Sequence, residues 1–191
     1  MPKASPQTSL RRATRADIDR LWTLIDLSVR ELHAPYYTPA QIERSLAEVY
    51  EVDPVLVDDG TYYVLEEDGE LVACGGWSKH TTLCAGHNFA RPADERLDPA
   101  QDAAKIRAFF VRPSHARRGL ASLLLEHCES EARAAGFRRA ELGATLSGVP
   151  FYAARGYVAT ADAEVALSSL DALRVVLMER NLELPEIFPR T

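Results

Sequence analysis

The residues best suited to chemistry lie in Ser114-His115-Ala116-Arg117-Arg118-Gly119-Leu120-Ala121-Ser122, where small side chains and two adjacent arginines lead into an apolar periodic segment. Leu120, Leu123, Leu124, Cys128, Ala132 and Ala135 recur at steps of three and four, with Glu126, Glu129, Ser130 and Arg133 on the other side, so a helix starts here. Amides in a first helical turn have no partner inside the helix and carry the positive end of its dipole, which suits an anion. Gly119 and Ala121 let a phosphate approach the backbone, and Arg117 and Arg118 add fixed positive charge. Upstream, Ile106-Arg107-Ala108-Phe109-Phe110-Val111 is apolar, rich in aromatic and β-branched residues and stopped by Pro113, as a strand would be. The reading is strand, anion cradle, helix, although an ordinary polar turn before a helix would use the same residues.

Val111-Arg112-Pro113 followed by Ala116-Arg117-Arg118-Gly119-Leu120-Ala121 resembles motif A of the GCN5-related N-acetyltransferases, a Gln/Arg-x-x-Gly-x-Gly/Ala signature after a strand. Phe151-Tyr152-Ala153-Ala154-Arg155-Gly156-Tyr157 resembles that family's later motif, an aromatic pair, a helical turn, then Gly and an aromatic. The matched segments span residues 105–158 and stand in the family's order. Ala116 departs from the pattern, which removes one side-chain contact to phosphate that neighbouring Arg117 partly replaces.

The resemblance implies acetyl-CoA as cosubstrate, with Phe109, Phe110 and Val111 offering backbone groups to the pantetheine arm and Arg117, Arg118, Gly119, Leu120, Ala121 and Ser122 holding the pyrophosphate. It also implies transfer of an acetyl group to a primary amine. An amine of pKa about 10 must lose a proton before attack, and a thiolate of pKa about 8.5 leaves more readily beside a proton donor. Tyr152 stands at the family's tyrosine position and is the expected donor, although its ring could simply pack beneath the sheet. Glu141 is a candidate base, with His80, His115 and a water chain as alternatives, because period-two alternation does not say which face Glu141 occupies. The acceptor is expected to be a small amine, met by His33, Tyr36, Tyr37 and the acidic run Asp94, Glu95, Asp98 and Asp102. An acetyltransferase for protein or peptide amines and a catalytically silent acyl-CoA-binding module are the alternatives. An unrelated nucleotide binder lacks support, since neither Gly-x-x-x-x-Gly-Lys-Ser/Thr nor Gly-x-Gly-x-x-Gly occurs.

Length and composition set the frame for these residues. A chain of 191 residues with 47% hydrophobic and 26% charged content has the proportions of an ordinary globular protein able to bury a core. A net charge of −6 disfavours nucleic acid and anionic membrane and favours encounter with a cation. No apolar run approaches the roughly 18 residues of a membrane span, so a cytoplasmic location is expected. Three cysteines without Cys-x-x-Cys suit reduced thiols, and His80, Cys84 and His87 match no standard zinc spacing, so no metal is expected. The expected partners are acetyl-CoA and a small amine, with a homodimer left open.

Residues 1–9 read as a loose arm and residues 10–191 as one domain. A short strand at 9–13 leads to Thr14 and Asp17 as an acidic capping box for a helix over 15–32, whose apolar face is Ile18, Leu21, Trp22, Ile25, Leu27 and Val29. Thr38 caps a second helix with Pro39 at its first position, running to Val49. Residues 61–66 and 70–77 form a hairpin about Asp68-Gly69, with Gly75-Gly76 ending or bending its second arm. Residues 78–104 lack periodicity and read as a functional or covering segment. After Gly136 closes the main helix come a strand at 138–144, a short helix at 149–155 and a final strand at 173–179. This order is α/β (α+β). The resemblance implies a mixed, mostly antiparallel sheet flanked by helices and splayed at the acetyl-CoA cleft.

Overall fold

A computed structural model describes residues 8–81, 95–168 and 171–183. Its strands are β1 (Ser9–Arg12), β2 (Tyr62–Glu67), β3 (Glu70–Ser78), β4 (Ala104–Val111), β5 (Arg139–Thr145), β6 (Val158–Ala166) and β7 (Ala172–Asn181). Its helices are α1 (Ile18–Leu32), α2 (Pro39–Glu48), α3 (Pro54–Asp58), α4 (Leu120–Ala134) and α5 (Val149–Ala153). The strands form one sheet in the order β1-β2-β3-β4-β5-β7-β6, antiparallel throughout except for the β4–β5 pair. The expected α/β fold with a mixed, mostly antiparallel sheet is the one observed.

Two apolar layers cover the sheet. On one face α4 brings Leu120, Leu124, Leu125, Cys128 and Ala132 against β3 to β5, with Tyr152 and Tyr157 in the same cluster. On the other, Leu21, Leu24, Ile25 and Val29 of α1 meet Ile42 and Leu46 of α2 and Val64, Cys74 and Phe110 of the sheet. Each such fully buried aliphatic side chain contributes about 1.5–3 kcal/mol, so the layers, rather than helix propensity, hold the short elements in place.

The chain folds locally as its caps dictate. Asp17 accepts from the Thr14 amide and hydroxyl, and Arg11 clamps the same carboxylate at 2.8 Å with each of two guanidinium nitrogens. The first turn after this cap, Arg15–Asp17, is a tight 3-10 turn, and the α-helix proper begins at Ile18. Trp22, read from the sequence as part of the apolar face, points outward with 43% of its surface exposed, while Leu24 and Ser28 take the buried positions. Trp22 lies one position off the stripe set by Leu21, Leu24, Ile25 and Ser28.

β3 passes through Gly75-Gly76 and is bent rather than ended there. Its register with β4 shifts between Cys74 and Gly76, so a bulge sits opposite on β4. A Cβ on Gly75 would lie 2.7 Å from the Phe109 ring, which explains glycine at the point where the strands crowd. On the β4 side Ala108 has φ +56, an uncommon conformation for alanine, and its carbonyl accepts a 3.0 Å hydrogen bond from Tyr62.

Candidate active site

The parallel pair β4–β5 holds together only at its base. Ala104 pairs with Ala140 and Lys105 with Glu141, and beyond these residues no pairing continues. The strands therefore diverge as a V, leaving the β5-facing edge of residues 106–111 without a ladder partner among the described residues. Phe109, Phe110 and Val111 lie on this stretch, where the Val111 amide donates to the Ser28 hydroxyl of α1 at 3.3 Å. Phe109 faces the α4 layer, and Phe110 faces the α1–α2 layer.

At the open end of the V the chain turns through Pro113–His115 into α4. Arg117 and Gly119 both have left-handed φ, +64 and +83, and α4 starts at Leu120 without a side-chain cap. The first backbone bond after this turn runs from the Leu123 amide to the Gly119 carbonyl, so the amides of Leu120, Ala121 and Ser122 precede the ladder. A Cβ placed on Gly119 meets nothing within 4 Å, so the loop faces open space. Alternating left-handed residues ahead of free first-turn amides make a concavity of backbone N–H groups, a geometry that suits an anion.

The arginines are used unequally. Arg117 is exposed with no ion-pair partner among the described residues. Arg118 binds Glu67 through both terminal nitrogens, at 3.0 and 3.1 Å, and the Glu67 side chain is enclosed. The Arg118 guanidinium thus fastens the loop to the end of β2 while keeping 41% of its side chain exposed. Beside the loop is a recess of about 430 Å³ between Leu27, Glu31 and Leu32 of α1 and Arg112, Pro113 and Ser114.

Tyr152 lies in α5 on the α4 side of the V. Its ring makes edge contacts with Phe109 at 6.4 Å, Phe151 at 4.9 Å and Tyr157 at 5.6 Å between centroids. The residue is 8% exposed, and no described residue hydrogen-bonds its hydroxyl. Burial pushes its pKa well above the ordinary phenol value, so the proton stays on the oxygen at neutral pH. Tyr157 is anchored by donating to Glu129, which also binds Arg180, and this holds the α5 turn.

Glu141 lies at the base of the V. Ala140 and Leu142 pack on the α4 side, so Glu141 points to the opposite face, where its carboxylate is ion-paired with Lys105. On that face His33, Tyr37, Tyr50 and Phe110 form a continuous aromatic array, with centroid separations of 5.8, 5.7 and 5.5 Å. Tyr37 donates to the Arg174 carbonyl and accepts from the Leu146 amide just past β5, tying the α1–α2 turn to the far arm of the V. His33 is 6% exposed, its Nδ1 has no hydrogen-bond partner among the described residues, and burial lowers its pKa to about 4. Tyr36 stands outside the array, 47% exposed.

Other sequence candidates lie elsewhere. His80 bonds Asp59 at 3.0 Å, and His115 sits 3.5 Å from Glu67 beside the loop. Asp98 and Asp102 use their carboxylates on backbone amides of their own turn ahead of β4. Cys84, His87 and Asp94 lie outside the described residues. Among the described residues no group of three or more His, Cys, Asp and Glu is arranged to hold a metal ion. Sequence reading missed Lys105 and Glu67, whose roles depend on strand register and leave no local pattern.

A cleft open along one strand, ending in an amide cradle, fits the family suggested by the two motifs. Residues 26–157 match the model of the acetyltransferase (GNAT) family. The chain belongs to that family. It is accordingly an acetyltransferase, and its sheet is the GNAT sheet. Similar solved structures include a GCN5-related N-acetyltransferase of Rhodopseudomonas palustris, with TM-score 0.68 and 19% identity over 95% of this chain and 98% of that one. The PaiA N-acetyltransferase of Thermoplasma acidophilum, solved in complex with coenzyme A, gives TM-score 0.65 and 14% identity over 92% and 99%. The yncA protein of Salmonella typhimurium, solved with its cofactor acetyl-CoA, gives 0.60 and 18% over 92% and 94%. No curated protein matches the sequence. No helix among the described residues is long and apolar enough to cross a membrane.

Proposed function

We propose that this GNAT member transfers the acetyl group of acetyl-CoA to a primary amine of a small molecule. The observation that carries the reading is the V between β4 and β5, closed at Lys105–Glu141 and opening onto the Arg117–Ser122 cradle. Space in front of Gly119, free first-turn amides and an unpaired strand edge suit a long anionic ligand that extends from phosphates into the V. The backbone of Arg117, Arg118, Gly119, Leu120, Ala121 and Ser122 would hold the diphosphate. Phe109, Phe110 and Val111 would pair with the pantetheine. Acetyl-CoA supplies an acyl thioester activated for attack by an amine.

The chain's own groups divide the proton transfers between the two faces of the sheet. On the α1–α2 face the Glu141 carboxylate, or water held by it, takes the proton that the ammonium must lose before attack, and the second nitrogen proton passes to solvent as the amide forms. On the α4 face the Tyr152 hydroxyl gives its proton to the departing sulfur and recovers one from solvent. A new carbon–nitrogen bond replaces the carbon–sulfur bond, and the free thiol leaves. The aromatic array of His33, Tyr37, Tyr50 and Phe110 walls the acceptor side with apolar rings, and these suit a partly apolar amine.

A panel of free amines and peptides incubated with acetyl-CoA, read by released thiol, tests the assignment. Turnover of one or more free amines is expected. Efficient turnover of peptides with no free amine acetylated would overturn the small-molecule acceptor.

A further inference from the structure

The far arm of the V ends on a side chain. In the β5–β7 ladder Arg139 pairs with Asn181 and Thr145 with Val175, and past the Arg139 end the Leu182 amide donates to the Arg138 carbonyl. Hydrogen-bonded pairs of an antiparallel ladder recur at every second residue, so counting from Arg138–Leu182 puts one at Leu146–Arg174, the rung after Thr145–Val175. Among the described residues no backbone bond joins these two. The Tyr37 hydroxyl stands between them instead, accepting from the Leu146 amide at 2.8 Å and donating to the Arg174 carbonyl at 2.7 Å. A phenol from the α1–α2 turn thus serves as an inserted rung.

The chain that follows this rung carries the proposed proton donor. β5 stops at Thr145, the Gly148 amide bonds back to the Thr145 carbonyl at 2.8 Å, and the Tyr152 amide bonds to the Gly148 carbonyl at 3.1 Å. The Tyr152 turn therefore hangs from the segment that Tyr37 holds. On its other side the Tyr37 ring contacts His33, from which the array runs through Tyr50 to Phe110 on β4, so a continuous path of contacts crosses the V from one arm to the other. Tyr37 is 6% exposed and burial raises its pKa, so the phenol keeps its proton and donates at the rung at neutral pH. We propose that Tyr37 is a positioning residue for acetyl transfer, its hydroxyl fixing the end of β5 from which Tyr152 and the acceptor side of the V are aimed. The inference rests on the amine acetylation proposed above and adds a group that acts through the backbone rather than on the reacting atoms.

Tyr37→Phe keeps the ring and deletes the rung. The Leu146 amide then loses its acceptor, and its hydrogen exchange should speed up about tenfold or more. The kcat/KM for the amine should fall about ten- to hundredfold, because a small displacement of reacting groups is costly. CoA affinity should stay within about twofold, since the Arg117–Ser122 loop lies outside these contacts. The pH profile should keep its shape, as the phenol moves no proton in the reaction. Gln41→Ala controls for a loosened α2: it removes a 2.9 Å bond to the Ala172 carbonyl, leaves the rung intact and should keep the wild-type kcat/KM. Wild-type kcat/KM in folded Tyr37→Phe, an unchanged Leu146 exchange rate, or an equal loss in Gln41→Ala would each overturn the proposal. So would a shifted pH profile, which would make Tyr37 a proton-transfer group. A wild-type protein that acetylates no amine would overturn the function proposed above and this role with it, a result told apart from the others by the inert wild type.

Discussion

Lys105 and Glu141 are in register across the last rung that β4 and β5 share, and their side chains form an ion pair at that rung. The pair closes the V and holds a carboxylate at its base, on the face opposite Tyr152. Lys105 is nearly enclosed, with 10% of its side chain exposed, whereas Glu141 keeps 31%. Glu141→Gln removes the proposed base and leaves Lys105 with a neutral partner. Turnover should fall about 100-fold or more if Glu141 is the base. Stability should fall by about 1–2 kcal/mol, below the cost of breaking a fully buried pair because Glu141 is partly solvated. CoA affinity should hold, so steady-state rates, denaturant melts and CoA titration together separate a chemical role from a structural one. A variant with lowered stability and full turnover would leave the base to water.

Tyr152→Phe deletes a hydroxyl that no described residue bonds, so no partner is left unsatisfied and the ring contacts remain. Stability should stay within about 0.5 kcal/mol of wild type while turnover drops about 10- to 100-fold with CoA affinity retained. Full activity of the phenylalanine variant across the pH profile would transfer the donor role to water.

How far these residues could be read from sequence depends on whether their signal is local. The loop ahead of α4 and the Tyr152 turn were legible because glycine, arginine and aromatic spacing carry their geometry within a few residues. β6 was not, since Val-Ala-Thr-Ala-Asp-Ala-Glu-Val-Ala alternates but fills its apolar positions mostly with alanine, a weak strand former, as suits an edge strand that is exposed over most of its length. α3 was missed because a single turn of helix capped by Asp53 is too short for periodicity to register. The face of Glu141 required the β4–β5 register, and the diversion of Arg118 to Glu67 required the position of β2. Both are long-range contacts that no window of sequence contains.

Gly119 tests the cradle without testing the fold. Its left-handed φ makes any side chain strained by about 1–2 kcal/mol, yet a Cβ there meets nothing within 4 Å. Gly119→Ala should therefore lose modest stability. Gly119→Asp adds to the same strain a carboxylate in front of the free amides, where it both fills the cradle and repels phosphate. CoA affinity should collapse in the aspartate variant while its circular dichroism remains native. Unchanged affinity in a folded Gly119→Asp protein would remove the diphosphate from this loop.

His33 makes stability depend on pH in a window away from the carboxylates. Buried among Tyr37 and Tyr50 with an unpartnered Nδ1, the ring has a folded pKa lowered to about 4, against about 6.5 in the unfolded chain. Between these values the unfolded state holds the extra proton, so stability rises with pH through the window and is lost as pH falls. No stability is lost to this group above about pH 6.5, and the loss grows to about 3 kcal/mol by about pH 4. Urea melts at pH 7.5 and pH 5 should show wild type weakened by about 2 kcal/mol at the lower pH from this group. His33→Phe keeps a ring in the array and cannot titrate, so its loss over the same interval should be smaller by that amount. Equal losses in both proteins would mean that the imidazole gains a proton partner in the folded state.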